Sequence, residues 1–240
     1  MLKTHHGGPW IYSQLVQSAA VRSISILSED ARSVAKFWSA VALMERFAGL
    51  LLFVLSLPVL IAAAIAIVTL SRRTPLIAHQ RVGQGGMIIW VYKLRTMWSG
   101  PSGGALWPLV EYLRAPDIDC ITPKKMNDPR ITNRFAAICR RLSIDELPQF
   151  WHVARGEMAL VGPRPLTRYE LNAYYGNAAA IVLKKKPGLS GLWQISGRSR
   201  LSYAQRRRLD LFMIRKWSVA LYCRILIVTI PRVLIGKDAW

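Results

Sequence analysis

The sequence predicts a helix-rich α/β fold held at a membrane by one N-terminal apolar element, and three observations predict it. A stretch from Phe47 to Ser71 carries no charged side chain and is dominated by Leu, Val, Ile and Ala. Downstream, short apolar stretches alternate with glycines between Pro75 and Met97, a pattern of strands and turns rather than of a long helix. Further on, apolar residues recur at helical spacing among arginines. The 240 residues suit one catalytic unit with an appendage. The chain is expected to divide into a divergent, flexible segment 1–40, a membrane element 41–73 and a main domain 74–240.

Composition narrows the class. Hydrophobic residues make up 52% of the chain, yet 33 Lys+Arg stand against 13 Asp+Glu, for a net charge of +20. Such a chain suits an apolar medium and an anionic partner together, which favours a membrane surface and phosphorylated ligands over nucleic acid. No nucleic-acid recognition motif is present. The cysteines Cys120, Cys139 and Cys223 lack metal-ligand spacing and read as reduced thiols. Met1 to Ser39 is mixed polar and apolar, unlike a cleaved signal peptide.

The apolar run is long enough to meet the roughly 20 residues that a membrane crossing needs. Its middle reads Leu55-Ser56-Leu57-Pro58, where a proline removes a backbone donor and predicts a break. Lys36 and Arg46 precede the run while Arg72 and Arg73 follow it. Positive residues prefer the cytoplasmic side, so both ends inside predicts a re-entrant helix-break-helix at Ser56 and Pro58. A straight span with one end outside is the alternative.

The glycines Gly83, Gly85 and Gly86 match neither a Walker loop nor a dinucleotide fingerprint and read as a turn. Residues Ser99 to Lys125 read as an irregular surface segment. Asn133 to Leu142 reads as a basic amphipathic helix, and one mixed helical segment runs from about Arg206 to Leu234, interfacial because Arg224 interrupts any spanning core.

Three constellations carry candidate chemistry. Asp145 and Glu146 stand side by side after three arginines, where one carboxylate can attack phosphorus and the other hold a divalent cation. Ser143 and Glu146 equally fit an S-x-x-E capping box. In Pro163-Arg164-Pro165 two prolines restrict an arginine suited to bidentate phosphate recognition; a rigid turn with a solvated arginine fits as well. Lys93 and Arg95, alternate residues on a strand, would present two cations on one face, which is also an ordinary solvated surface.

Together these elements decide more than each does alone. The blocks Gln80-x-Val82-Gly83, Tyr92-Lys93-Leu94-Arg95-Thr96-Met97, Asp128-Pro129-Arg130-Ile131-Thr132, Ser143 to Gln149, Arg155-Gly156-Glu157-Met158, Val161 to Pro165 and Lys186 to Gln194 closely resemble the bacterial sugar transferase family of monotopic polyprenyl-phosphate phosphoglycosyl transferases. The resemblance covers about residues 42–238. It implies a cytoplasmic-face enzyme of the bacterial inner membrane that takes a UDP-sugar and polyprenyl (undecaprenyl) phosphate and releases UMP, initiating polysaccharide assembly, with exopolysaccharide as the expected product. It implies Asp145 as nucleophile, a covalent phosphosugar-aspartyl intermediate, Glu146 as ligand of Mg²⁺ or Mn²⁺ beside Asp145, and Arg140 and Arg164 on the diphosphate with Lys93, Arg95 and Arg130 near. Pro163 and Pro165 flank the arginine, and Pro58 matches the proline of a re-entrant helix. Membrane lipids, polysaccharide-assembly proteins or a second copy are the further partners implied. A catalytically inactive membrane scaffold is the alternative function. The chain departs from the family pattern at Asn133 to Ala136 and at Met213 and Tyr222, where a tyrosine and an acid are usual.

Overall fold

A computed structural model describes residues 9–98, 110–113, 133–197 and 200–235. The chain divides into two units, 1–44 and 45–240. Helix α1 (Pro9–Ser71) is the first element, so the N-terminal segment is helical from Pro9 onward. In the first unit Phe37 and Trp38 meet edge to face at 5.5 Å.

In the second unit, α1 lays a stripe of Leu60, Ala63 and Ile67 against the domain, spaced for one helix face. Its remaining faces expose Leu51, Leu55, Ile61, Ile65 and Leu70. Contiguous exposed apolar surface of this kind is stable only where something other than water covers it. Residues Arg32–Ser71 are long and apolar enough to cross a membrane, and only 17% of their most apolar window is buried. That low burial separates the segment from the core helix of a soluble protein. The helix continues through Pro58, so the expected break at Ser56 and Pro58 is not seen as an interruption of helical structure. A single proline removes one hydrogen bond, and the turns on both sides hold; Ser56 Oγ donates to the Phe53 carbonyl at 2.7 Å.

The glycine-punctuated stretch forms the expected hairpin. β1 (Leu76–Val82) pairs antiparallel with β2 (Ile88–Leu94) around a turn in which Gly85 and Gly86 take φ of +67° and +85°, values favouring glycine. β3 (Val110–Leu113) adds to β1 in parallel, giving the order β2-β1-β3. It is the described part of the segment expected to be irregular.

α2 (Arg134–Arg141) is the expected basic helix, capped by Asn133, whose side chain accepts from the Phe135 N–H at 2.7 Å. A 3₁₀ segment, Ile144–Gln149, leads into α3 (Phe150–Arg155), which ends at Gly156 with φ of +76°. β4 (Ala159–Val161) pairs in parallel with β5 (Gly188–Ser190). Between them lie the short helices α4 (Arg168–Glu170) and α5 (Ala179–Val182). α6 (Leu192–Ser196) follows, then α7 (Tyr203–Arg215) and α8 (Val219–Ile235). The expected single C-terminal helical segment is therefore two helices, separated at 216–218. α7 is defined by a capping box of Ser202 and Gln205.

The departures from the family pattern are absorbed by packing. Met213 is fully buried with Val161, Ile195 and Ile225. Tyr222 OH donates to Glu45 Oε1 at 2.8 Å, and the same oxygen accepts from the Leu160 N–H at 2.9 Å. One carboxylate thus ties α1, α8 and β4 together.

Candidate active site

The Asp-Glu pair is positioned by the anchor helix. Ile144 and Leu147 pack with Leu60, Ala63, Ile67 and Leu94, which leaves Asp145 and Glu146 on the intervening turn of the 3₁₀ segment. Asp145 is buried. Ser143 precedes the pair in the left-handed conformation, φ +56°, and makes no side-chain cap. The capping-box reading of Ser143 and Glu146 is therefore not realised, whereas Thr167 and Glu170 form a true box at α4. A left-handed conformation is uncommon for serine, and here it stands two residues before Asp145.

Glu146 accepts from Lys93 Nζ at 2.6 Å. This pair joins the end of β2 to the 3₁₀ segment across a narrow cleft. Its walls include His79 and Arg81 from β1, Val91 and Lys93 from β2, Glu146 and Gln149, then Arg164, Pro165, Leu189 and Gln194. Gln149 is buried, and its Nε2 has no hydrogen-bond partner. Lys93, Glu146, Arg164 and Pro165 are thus brought together at one cleft.

The cleft is strongly positive. His79 lies well below the ordinary histidine range, at about 3, first because it is buried and then because Arg81, Lys93, Arg164 and Arg95 surround it. It is neutral at physiological pH. Arg164 lies over the Trp193 ring, 5.8 Å from its centre, and Arg206 lies 4.8 Å from the same ring. Beneath them Asp210, fully buried on α7, accepts from Tyr175 OH at 2.7 Å. Burial pushes its carboxyl up to about 7, against the lowering effects of Tyr175, Arg164 and Arg206. Cys139 is buried, and desolvation, with Asp145 adding to it, raises its thiol to about 11. It stays protonated.

Other expected residues fall elsewhere. Arg95 follows the last residue of β2, donates to the Thr74 carbonyl at 2.7 Å and pairs with Glu111. It ties the root of the hairpin to β3 and is not a wall of the cleft. Arg140 reaches Thr96 Oγ1 at 3.5 Å. Pro163 accepts at its carbonyl from the Gly188 N–H, 2.8 Å. Arg130 lies outside the described residues. Sequence reasoning missed His79, Arg81 and Asp210; the signal for Arg81 was its alternation with His79 on a strand opposite Lys93.

The donor set suits a hard divalent cation. Among the described residues no group of three or more His, Cys, Asp and Glu gathers. Magnesium needs no such group, since it takes one or two carboxylates and completes its shell with water and substrate phosphate. Asp145 and Glu146 supply that number.

A family model described as bacterial sugar transferase matches residues 37–236. Over 166 residues the chain is 41% identical to the exopolysaccharide production protein ExoY of Rhizobium meliloti, covering 68% of this chain and 71% of that one. It is 39% identical over 170 residues to a UDP-galactose-lipid carrier transferase of Erwinia amylovora, covering 69% and 34%. To the undecaprenyl-phosphate glucose phosphotransferase of Komagataeibacter xylinus it is 34% identical over 203 residues, covering 80% and 35%. The matched part is about a third of the length of these last two.

Proposed function

The chain belongs to the bacterial sugar transferase family, and on that premise we propose that it moves a sugar 1-phosphate from a UDP-sugar onto polyprenyl phosphate, undecaprenyl phosphate in the first instance. UMP is released and a polyprenyl-diphosphate sugar is formed, the initiating step of polysaccharide synthesis. The carrying observation is a pair of adjacent acids, one buried and one bridged by Lys93, set against an anchor helix at the edge of a cationic cleft.

In this reading the Asp145 carboxylate attacks the β-phosphorus. An acyl–phosphate bond forms as the bond to the bridging oxygen breaks, and the electron pair leaves with UMP. An oxygen of the acceptor phosphate then attacks the same phosphorus and frees the carboxylate. Phosphoryl transfer is mostly positioning and neutralisation of the equatorial oxygens. Arg164, held by its two prolines and the Trp193 ring, and Lys93 supply fixed positive charge there, with Arg140 and Arg130 as further candidates. Glu146, beside Asp145, would hold magnesium or manganese, which when bound would supply neutralising positive charge to the diphosphate.

The membrane side of the proposal is a re-entrant hairpin bent at Ser56–Pro58, supported by basic residues at both ends of the apolar run. It places the site on the cytoplasmic face of the inner membrane, where the acceptor phosphate lies at head-group depth. The test is UMP release from a panel of UDP-sugars by protein in detergent or nanodiscs with Mg²⁺ and undecaprenyl phosphate. Asp145→Asn is expected to lower release at least 10³-fold, in the range seen on removing a covalent nucleophile. Release unchanged in the variant removes Asp145 from the mechanism; no release by folded, membrane-bound wild type with any donor favours a scaffold.

A further inference from the structure

The hairpin carries cations of the cleft as a ladder. Across the antiparallel pair Ile77 faces Lys93, His79 faces Val91 and Arg81 faces Ile89. Directly opposed residues, and alternate residues along a strand, share one face of a sheet. Lys93, His79 and Arg81 accordingly all line the cleft. At about 3.3 Å per residue, Arg81 stands roughly 13 Å further along β1 than the level of Lys93, comparable with an extended nucleoside diphosphate.

The ladder has a direction. Its lower end, where Leu76 faces Leu94, packs on Leu60, Ala63 and Ile67 of the anchor helix. Its upper end is the turn, where the Gly85 N–H donates to the Leu183 carbonyl at 2.8 Å. The Asp-Glu pair belongs to the lower end through the Lys93–Glu146 contact. Arg81 belongs to the upper end; its guanidinium lies 3.9 Å from Glu170. Arg164 lines the same cleft.

Resting on the proposed reaction, the phosphorus attacked by Asp145 lies at the anchor end, so the remainder of the donor must extend up the ladder. We propose that Arg81 binds the nucleoside-monophosphate half of the donor, so that the nucleotide lies along the β1–β2 hairpin with its base directed away from the anchor. The chemistry of the two substrates fits this arrangement. A polyprenyl chain cannot leave hydrocarbon, so its phosphate enters at the anchor end. The leaving UMP carries phosphate charge toward Arg81 and departs to water without crossing the acceptor's path. A guanidinium at that end stabilises the leaving group in a way a neutral His79 cannot.

The experiment uses the full chain in nanodiscs, with UMP as the probe of binding and a UDP-sugar that supports turnover as donor. Arg81→Ala is expected to raise the Kd for UMP at least tenfold and the donor KM in parallel, with the KM for undecaprenyl phosphate within twofold. Arg81→Lys should recover part of the loss. Glu170→Gln, which weakens the Arg81–Glu170 pair, should leave UMP binding within twofold. An unchanged UMP Kd in Arg81→Ala, a rise confined to the acceptor KM, or an equal loss in Glu170→Gln each overturns the assignment. Arg81-dependent UMP binding by a wild type that releases no UMP from any donor leaves Arg81 as a nucleotide contact and removes the transferase reading, and with it the orientation derived from it. Turnover with Arg81-independent UMP binding leaves the transferase reading and removes that contact.

Discussion

Asp210 is an acid without full compensation: one oxygen accepts from Tyr175, the other has no hydrogen-bond partner, and the residue is fully buried near Arg164 and Arg206. Its carboxyl, ordinarily near 3.8, is raised to about 7. The folded protein therefore holds a proton there that the unfolded chain has released. Stability from this group is fully present below about pH 4, declines by up to about 1.4 kcal/mol per pH unit as pH rises toward 7, and is level above. Asp210→Asn keeps the Tyr175 hydrogen bond and removes the titration. Thermal unfolding in detergent across pH 4 to 8 should show the variant gaining on wild type as pH rises to 7; a constant difference means that Asp210 is already ionised beside its arginines. Asp145, Glu146, Lys93 and Arg164 were legible in the sequence because each sits in a dense motif. His79, Arg81 and Asp210 were not, since their chemistry arises only where a strand face or a buried helix position meets residues distant in sequence. Arg95 shows the converse, a motif arginine engaged by Thr74 and Glu111.

The loop carrying Arg164 is held by backbone rather than by side chains. Gly162 donates to the Ser190 carbonyl and Gly188 to the Pro163 carbonyl, both at 2.8 Å. A β-carbon on Gly188 would lie 2.1 Å from the Gly162 nitrogen, and one on Gly162 would lie 2.4 Å from the Lys186 carbonyl oxygen. No adjustment of a flexible side chain relieves such overlaps. Gly188→Ala should cost about 3 kcal/mol or more, beyond ordinary overpacking, and weaken donor binding by displacing Arg164. A lowered Tm with an unchanged donor KM would separate the loop's stability from its role in holding Arg164. The sequence announced the rigidity through Pro163 and Pro165, and the hairpin through its glycines. It did not show the pairing of β4 with β5, because each is three residues long and their contact spans the intervening helices. The break at 216–218 between α7 and α8 was hidden by apolar residues that continue at helical spacing across it.

At the scale of the molecule, the anchor must serve a catalytic domain whose acids lie against it. The uncharged run from Phe47 to Ser71 is long enough as a straight helix, about 38 Å at 1.5 Å per residue, to cross hydrocarbon about 30 Å thick. Length therefore permits a span, and the helix holds through Pro58. Charge opposes it, because a span would leave Lys36 and Arg46 outside with Arg72 and Arg73 inside. A bend at Pro58 keeps all four on one side, and there the proline has already removed the donor that would resist bending. Single cysteines at Lys36 and Arg72, in a background with Cys120, Cys139 and Cys223 replaced by serine, distinguish the two. With a hairpin, a membrane-impermeant maleimide labels neither position in intact spheroplasts and both in inverted vesicles. Labelling of Lys36→Cys from outside, with Arg72→Cys reached only from inside, establishes a straight span and removes the re-entrant proposal, and with it the contacts that hold Glu45 and Arg46 to Tyr222, Leu160 and Ala154 of the domain.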